Sequence, residues 1–205
     1  RTAILMRVHA SNYRVVGFTC RPPLEQIVEL AHRHGLPVVD DLGSGALFDL
    51  ARLNLPPEPC VADSLAAGTD LVCFSADKLL GGPQSGIIVG RRNLLDRIAA
   101  NPLARCCRVD KLTLLALEAT LRQYEDVDGA VRTVPVLAML TETTDSLADR
   151  ARTLCDRLQK VLPDEHFYVC SDVTYAGGGS LPARELPTVV VQWRPATRTV
   201  ESVAA

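Results

Sequence analysis

The segment from residue 70 to residue 90 reads Asp70-Leu-Val-Cys-Phe-Ser-Ala-Asp-Lys-Leu-Leu-Gly-Gly-Pro-Gln-Ser-Gly-Ile-Ile-Val-Gly90. The apolar run at 70–74 predicts a buried β-strand, and the run at 87–90 predicts a second strand. A lysine and a glycine-rich turn separate the two runs. The turn therefore begins at the carboxyl end of a buried strand, which is where functional groups gather in open α/β sheets.

Strands and helices alternate on both sides of this segment. Strands are predicted at 3–8 and 36–40, with an amphipathic helix between them that ends at Gly35. A short helix is predicted at 61–67, and another helix follows the strand that ends at residue 90. This order predicts an α/β fold with a mostly parallel sheet and helices on both faces.

The pattern changes after a helix predicted at 111–124. Periodicity loosens from 127 to 141, and an amphipathic helix around 147–161 then precedes two strands separated by Gly177-Gly-Gly179. We predict that residues 1–130 form the C-terminal half of a large domain. Residues 131–205 are predicted to form a smaller, truncated α+β domain, with one more helix starting at 199–205. Because the chain enters a strand almost at once, we expect it to begin inside a domain.

Composition narrows the class of protein. The chain has 205 residues, of which 47% are hydrophobic and 22% charged, and its net charge is −2, a balance typical of a globular protein without a basic surface spread over the whole chain. The seven cysteines are irregularly spaced and include no C-x-x-C pair, which indicates reduced thiols in a cytoplasmic protein. No apolar run approaches the roughly 18–20 residues that span a bilayer. The four histidines show no metal-ligand spacing.

Lys78 is the candidate nucleophile. A lysine just past a buried strand can lose enough solvation to act as a neutral amine and form an imine. Ser75 stands three residues earlier, where its hydroxyl can donate a hydrogen bond to a phosphate, and the glycines that follow allow close approach of a ligand. The alternative is a surface lysine in a Gly-Pro turn, since Ser-x-x-Lys alone is a weak pattern.

A second candidate group follows the strand at 36–40, where the chain reads Val38-Val-Asp-Asp-Leu-Gly-Ser-Gly45. A carboxylate there can pair with the protonated nitrogen of a pyridine ring and make that ring an electron sink. We choose Asp41 for this role, with Asp40 as the substitute. The alternatives are a helix cap or a solvated turn carboxylate. A metal site is disfavoured because no further ligands stand at compatible spacing.

Four segments are similar, in the same order, to the bacterial selenocysteine synthase (seryl-tRNA selenium transferase) family. They are Ser-Asn-Tyr-Arg-Val-Val-Gly-Phe at 11–18, Asp-Asp-Leu-Gly-Ser-Gly at 40–45, Phe-Ser-Ala-Asp-Lys-Leu-Leu-Gly-Gly-Pro-Gln-Ser-Gly at 74–86 and Arg-Val-Asp-Lys-Leu-Thr at 108–113. The resemblance implies a fold-type I pyridoxal-phosphate enzyme. It also implies conversion of seryl-tRNA(Sec) to selenocysteyl-tRNA(Sec) by β-elimination and addition of selenium from selenophosphate.

The resemblance also assigns roles to residues. It implies that Lys78 carries the cofactor as a Schiff base, that Asp77 is a neighbouring catalytic carboxylate, and that Arg105 and Arg108 bind the anionic selenium donor. Guanidinium groups suit such an oxyanion, although two surface charges would fit the spacing as well. Asn12 can hydrogen-bond the hydroxyl of the cofactor ring, or serve a turn.

The cysteines and the lysine near these arginines are not expected to take part in the reaction. Cys106 and Cys107 are expected to be small buried hydrophobic residues. Lys111 is rejected as the cofactor lysine, because it opens a helix and has no strand and serine before it.

The partners implied are the tRNA, engaged largely through regions outside this chain, selenophosphate, and further copies in a homo-oligomer. Two alternatives remain open: a pyridoxal-phosphate-dependent ammonia-lyase on an amino-sugar acid, and a catalytically incomplete fragment.

Overall fold

The computed structural model describes residues 2–13, 15–182, 184–196 and 202. The chain divides into two compact units. The first consists of Arg1–Thr141 and Ala176–Ala183, and the second of Glu142–Tyr175 and Arg184–Ala205. The first unit contains every candidate residue named above.

A four-stranded sheet organises the first unit. Its strands are β1 (Leu5–Val8), β2 (Val38–Gly43), β3 (Leu71–Ser75) and β4 (Gly86–Gly90), and they neighbour one another in that order. The first three are parallel, whereas β4 runs antiparallel to β3 because only a short turn joins the two. The predicted α/β fold with a mostly parallel sheet is confirmed. The register brings the carboxyl ends of β1, β2 and β3 to one edge.

Seven α-helices of the described part of the chain accompany this sheet, together with a short 3-10 helix at Leu50–Leu53: α1 (Leu24–Arg33), α2 (Val61–Ala66), α3 (Arg92–Ala99), α4 (Pro102–Cys106), α5 (Lys111–Gln123), α6 (Val127–Thr133) and α7 (Pro135–Leu140). Side chains cap several of them; Asp110, for example, accepts a hydrogen bond from the Thr113 N–H at the start of α5. One face of α1 is buried against Val38 of β2, as its apolar spacing predicts.

Asp70 ties β2 to the start of β3. Its carboxylate accepts hydrogen bonds from the Val38 N–H at 2.7 Å and from Nε2 of His32 at 2.9 Å, and it pairs with Arg91 at 2.9 Å. Burial by itself raises the pKa of Asp70, but the hydrogen bonds from His32 and Val38 and the charge of Arg91 outweigh it. The pKa of Asp70 therefore lies below its ordinary value.

The segment 127–141 differs from its prediction. The structure forms α6 and α7 there, and Ala130, Val134 and Leu137 bury their side chains together. Pro135 starts α7 at a position where a helix tolerates proline. Because these helices pack within the first unit, the division falls after Thr141, whereas the sequence suggested a boundary at 130.

The second unit consists of α8 (Thr144–Val161) and a hairpin of β5 (His166–Tyr175) and β6 (Glu185–Arg194). Both strands were expected, and both are longer than the predicted runs at 166–171 and 187–193. The helix predicted at 199–205 lies outside the described residues apart from Ser202. Among the helices that the structure describes, none has the length and hydropathy needed to cross a membrane.

Candidate active site

A cleft of about 390 Å³ opens where β1, β2 and β3 end. Four of the predicted site residues line it together: Asn12, Asp41, Ser75 and Lys78. They come from three separate stretches of the chain, and the parallel register explains why they meet, since Val8 pairs with Asp41 and Asp41 with Cys73.

The backbone around Lys78 is held by hydrogen bonds on both sides. The Ala76 N–H donates to the carbonyl of Ser85 at 2.9 Å, and the Leu79 N–H donates to the carbonyl of Ser44 at 2.9 Å. Leu79 and the residue after it are buried, whereas Lys78 itself is half-buried. The lysine therefore projects toward the cleft from a fixed main chain.

Tyr124 adds a support that the sequence did not suggest. Its hydroxyl lies 3.2 Å from the carbonyl oxygen of Leu79 and 2.9 Å from that of Leu80, and it donates to this pair of acceptors. Burial raises the pKa of Tyr124 to about 12. The hydroxyl therefore stays protonated at neutral pH and can keep donating to the turn that carries Lys78.

The space around the amine is bounded by glycines. A Cβ at Gly43 would lie 3.8 Å from Nζ of Lys78, and a Cβ at Gly179 would lie 2.7 Å from it. Both glycines have positive φ, 68° and 82°. Glycine at these positions leaves room beside the amine that a side chain would fill.

Asp40 and Asp41 have different environments although they are neighbours. Asp40 is fully buried, with Nε and Nη2 of Arg7 each 2.6 Å from its carboxylate and the Ser64 hydroxyl donating to it at 2.6 Å. Asp41 points into the cleft, and no residue in the described part of the chain donates a hydrogen bond to its carboxylate or pairs with it. This arrangement favours Asp41 over Asp40 as the group that faces a ligand.

His9 and Glu58 form a pair that sequence analysis missed. His9 lines the cleft, and its Nε2 lies 3.2 Å from Oε1 of the buried Glu58. Its backbone N–H donates to the carbonyl of Asp41 at 2.7 Å. The signal available in the sequence was the position of His9 directly after a strand, at the same edge as the other candidates.

Asp77 lies on the other side of Lys78. It is exposed and borders a second groove of about 380 Å³, which Lys78 also lines together with Val136, Leu140 and Ser180. Lys78 therefore stands between two depressions, a polar cleft with Asp41 and a more apolar groove with Asp77.

The structure does not bring Arg105 and Arg108 to either of these depressions. Arg105 is on the short helix α4, Arg108 follows it, and both are exposed. The expectation that Cys106 and Cys107 are buried is wrong: both are exposed, because α4 lies at the surface and buries no residue. Lys111 is exposed at the first residue of α5 and lines neither depression.

This set of groups suits a particular kind of ligand. An amine with open space beside it can condense with an aldehyde, and a carboxylate without a partner can take a basic ring nitrogen. The Ser75 hydroxyl can donate to an anionic group. The residues present therefore fit a small aromatic aldehyde that carries a ring nitrogen and an anion.

Comparison with known proteins shows the family of the chain. The family model described as L-seryl-tRNA selenium transferase matches residues 1–205. The chain belongs to the L-seryl-tRNA selenium transferase family. It is 51% identical over 192 residues to the L-seryl-tRNA(Sec) selenium transferase of Alkaliphilus metalliredigens, and 51% identical over 200 residues to that of Nitratidesulfovibrio vulgaris. These alignments cover 93% and 97% of this chain but only 41% and 43% of the relatives.

A solved structure shares the fold. D-glucosaminate-6-phosphate ammonia-lyase superimposes with a TM-score of 0.56 over 94% of this chain and 42% of its own, at 18% sequence identity. At that identity the likeness concerns the fold alone, and it supports the predicted fold class.

Proposed function

We propose that this chain supplies the lysine-bearing part of an enzyme that converts seryl-tRNA(Sec) to selenocysteyl-tRNA(Sec), with selenophosphate as donor and pyridoxal phosphate as cofactor. The observation that carries the proposal is the amine of Lys78 in a cleft with the unpartnered carboxylate of Asp41 and the hydroxyl of Ser75. Family membership supports the reaction, and a cytoplasmic location is part of the same proposal.

Four residues would hold the cofactor. Lys78 would bind its carbonyl carbon, Asp41 would face the ring nitrogen, Ser75 would donate to the phosphate, and Asn12 would hydrogen-bond the ring hydroxyl. When bound, pyridoxal phosphate accepts the electron pair that remains when the α-proton of serine departs. The negative charge of Asp41 would keep the ring nitrogen protonated and so maintain that capacity.

Lys78 and Asp77 would then move protons. Lys78 lines the cleft, and as a free amine it would act as the general base that takes the α-proton of the seryl group. Asp77 borders the groove on the opposite side of Lys78, and in its protonated form it would give a proton to the β-hydroxyl, which would leave as water. The two groups would thus act on adjacent carbons of the seryl group.

Arg105 and Arg108 would bind the selenium donor. Their guanidinium groups can form paired hydrogen bonds with the oxygens of a phosphate-like anion. Both are exposed and neither lines the depressions beside Lys78, so in this proposal another copy in the predicted homo-oligomer would bring its cleft to α4.

An ammonia-lyase acting on an amino-sugar acid is the alternative function. The likeness to D-glucosaminate-6-phosphate ammonia-lyase concerns the fold alone, whereas the sequence identity of about half lies with the selenium transferases.

Product formation separates the two functions. The intact protein is incubated with cofactor, selenophosphate and seryl-tRNA(Sec), and in parallel with an amino-sugar acid phosphate. We expect selenocysteyl-tRNA(Sec), its loss in Lys78→Ala, and its retention in the matched control Lys111→Ala. Release of ammonia from the sugar acid, without any selenocysteyl product, would establish the lyase instead.

A further inference from the structure

The loop between β5 and β6 contains a turn of three consecutive glycines. Gly177, Gly178 and Gly179 all have positive φ, at 64°, 55° and 82°. The Ser180 N–H closes the turn by donating to the carbonyl of Gly177 at 3.2 Å. Residues 176–183 belong to the first unit, which also contains Lys78. The sequence pattern indicates no role for the turn beyond separating two strands.

Leu181 fixes the turn in place. Its φ is 48°, in a left-handed region that leucine rarely adopts, and its side chain is only 1% exposed. A residue keeps such a conformation only where its surroundings over-determine it. Burial of Leu181 and of the adjacent Ser180 therefore anchors the turn within the first unit.

Gly179 differs from the other two glycines in what it faces. A Cβ at Gly179 would lie 2.7 Å from Nζ and 3.1 Å from Cε of Lys78, and 2.9 Å from Oδ1 of Asn12. A Cβ at Gly177 or Gly178 would meet no atom of the described residues within 4 Å. Positive φ accounts for glycine at all three positions, but among the residues that the structure describes only position 179 leaves a space that another side chain occupies.

We propose that Gly179 is a positioning residue for Lys78, a role that rests on the proposed function. The missing Cβ lets the amine lie between Gly179 and Gly43, whose own Cβ position is 3.8 Å from Nζ. The amine can thereby lie beside the cleft before the cofactor arrives, which reduces the reorganisation needed to capture it. A side chain at 179 would displace the amine and crowd Asn12.

A double-mutant cycle in thermal stability tests the contact itself. Gly179→Ala and the control Gly178→Ala are each made with and without Lys78→Ala in the intact, cofactor-free protein. Both alanines suffer the same kind of backbone strain, because both positions have positive φ. We expect Lys78→Ala to restore part of the Tm lost in Gly179→Ala, and to restore none of the Tm lost in Gly178→Ala.

Two stability results overturn the proposal. One is that Lys78→Ala restores the same amount of Tm in Gly179→Ala as in Gly178→Ala. The other is a Gly179→Ala protein that fails to fold whether or not Lys78 is present. Folding that is recovered only with Lys78→Ala supports the contact as directly as a shift in Tm.

Trace acetylation of lysine amines gives a second measurement. The acetylation rate of Lys78 should not change if Gly179 only supports the fold. In the cofactor-free protein, Gly179→Ala should change the labelling rate of Lys78 at least threefold relative to Lys111 in the same molecule. Gly178→Ala should leave that ratio within the error of the measurement. An unchanged ratio in Gly179→Ala would refute the positioning role.

The proposed function can fail separately. If Lys78 of the unmodified protein never captures pyridoxal phosphate, the cofactor role is wrong, while the coupling between positions 78 and 179 is still measured. Capture at Lys78 without such coupling would instead reject Gly179 as a positioning residue.

Discussion

The adjacent aspartates offer a matched test, because the same substitution should have opposite consequences at positions 40 and 41. Asp40→Asn removes the charge that pairs with Arg7 at 2.6 Å in a fully buried position. Breaking a buried pair by changing one partner typically costs about 3–5 kcal/mol. Since the side chain of Arg7 remains 27% exposed and Asn can keep one hydrogen bond, we expect a loss of about 2–4 kcal/mol in the free energy of unfolding.

Asp41→Asn should barely affect folding. Its carboxylate is half-buried and has no hydrogen-bond or ion-pair partner among the described residues, so the expected loss in stability is below about 0.5 kcal/mol. Activity should fall instead. A charge-assisted hydrogen bond contributes about 1.5–3 kcal/mol, which corresponds to a decrease of roughly 10- to 150-fold in kcat/KM.

Urea unfolding and steady-state turnover of both variants provide the measurements. The reasoning is refuted if Asp41→Asn loses more than about 2 kcal/mol of stability, or if it turns over at the unaltered rate. A stable but inactive Asp40→Asn protein would transfer the ring-nitrogen role to Asp40.

Three further predictions concern the turn after Lys78, the stability of the sheet in acid, and binding of the selenium donor. Tyr124→Phe should lower stability by about 1–2 kcal/mol, because buried carbonyls of the turn after Lys78 lose their donor; unchanged urea unfolding would contradict this. Asp70 has a lowered pKa in the folded state, so its contribution to stability is present above its unfolded pKa of about 3.9 and is lost as pH falls through the folded value. Asp70→Asn should therefore unfold more easily at pH 7 and show a flatter decline in acid, measured as Tm against pH. Arg105→Ala or Arg108→Ala should weaken use of selenophosphate by about 1.5–3 kcal/mol, with less effect on elimination of the serine hydroxyl and partial rescue by Lys; equal loss in both steps would assign these arginines to the cofactor or tRNA.

Local patterns were sufficient to predict most of the first unit. Apolar runs, and glycines at the ends of helices, identified the strands of the sheet and the helices beside them, because hydrophobic spacing follows the period of each element. The parallel order then implied that Asn12, Asp41, Ser75 and Lys78 share one edge, and the structure brings these four together. Their individual roles stay predictions.

Contacts between distant segments could not be predicted in this way. Nothing local at Gly179 indicates that it faces Lys78, and nothing at Tyr124 indicates its hydrogen bonds to the turn at 79–80. Likewise, strand alternation predicts that Asp40 and Asp41 point to opposite sides, but only the packing of Arg7 and Ser64 shows which of them is buried.

Short helices were the weakest part of the prediction. Gly129 and Pro135 obscured α6 and α7, whose formation depends on burial of a few apolar side chains and not on a long periodic pattern. The burial predicted for Cys106 and Cys107 was wrong for a related reason, since α4 is too short to reveal which of its faces is covered.

The central claim is that Lys78 holds the cofactor, and covalent capture tests it most directly. The intact protein is loaded with pyridoxal phosphate, reduced with borohydride, digested and analysed by mass spectrometry. This chain offers three lysines, Lys78, Lys111 and Lys160. The account predicts that the reduced cofactor is attached to Lys78 and that Lys78→Ala abolishes the label. Attachment to Lys111, to Lys160 or to a lysine elsewhere in the protein would contradict it.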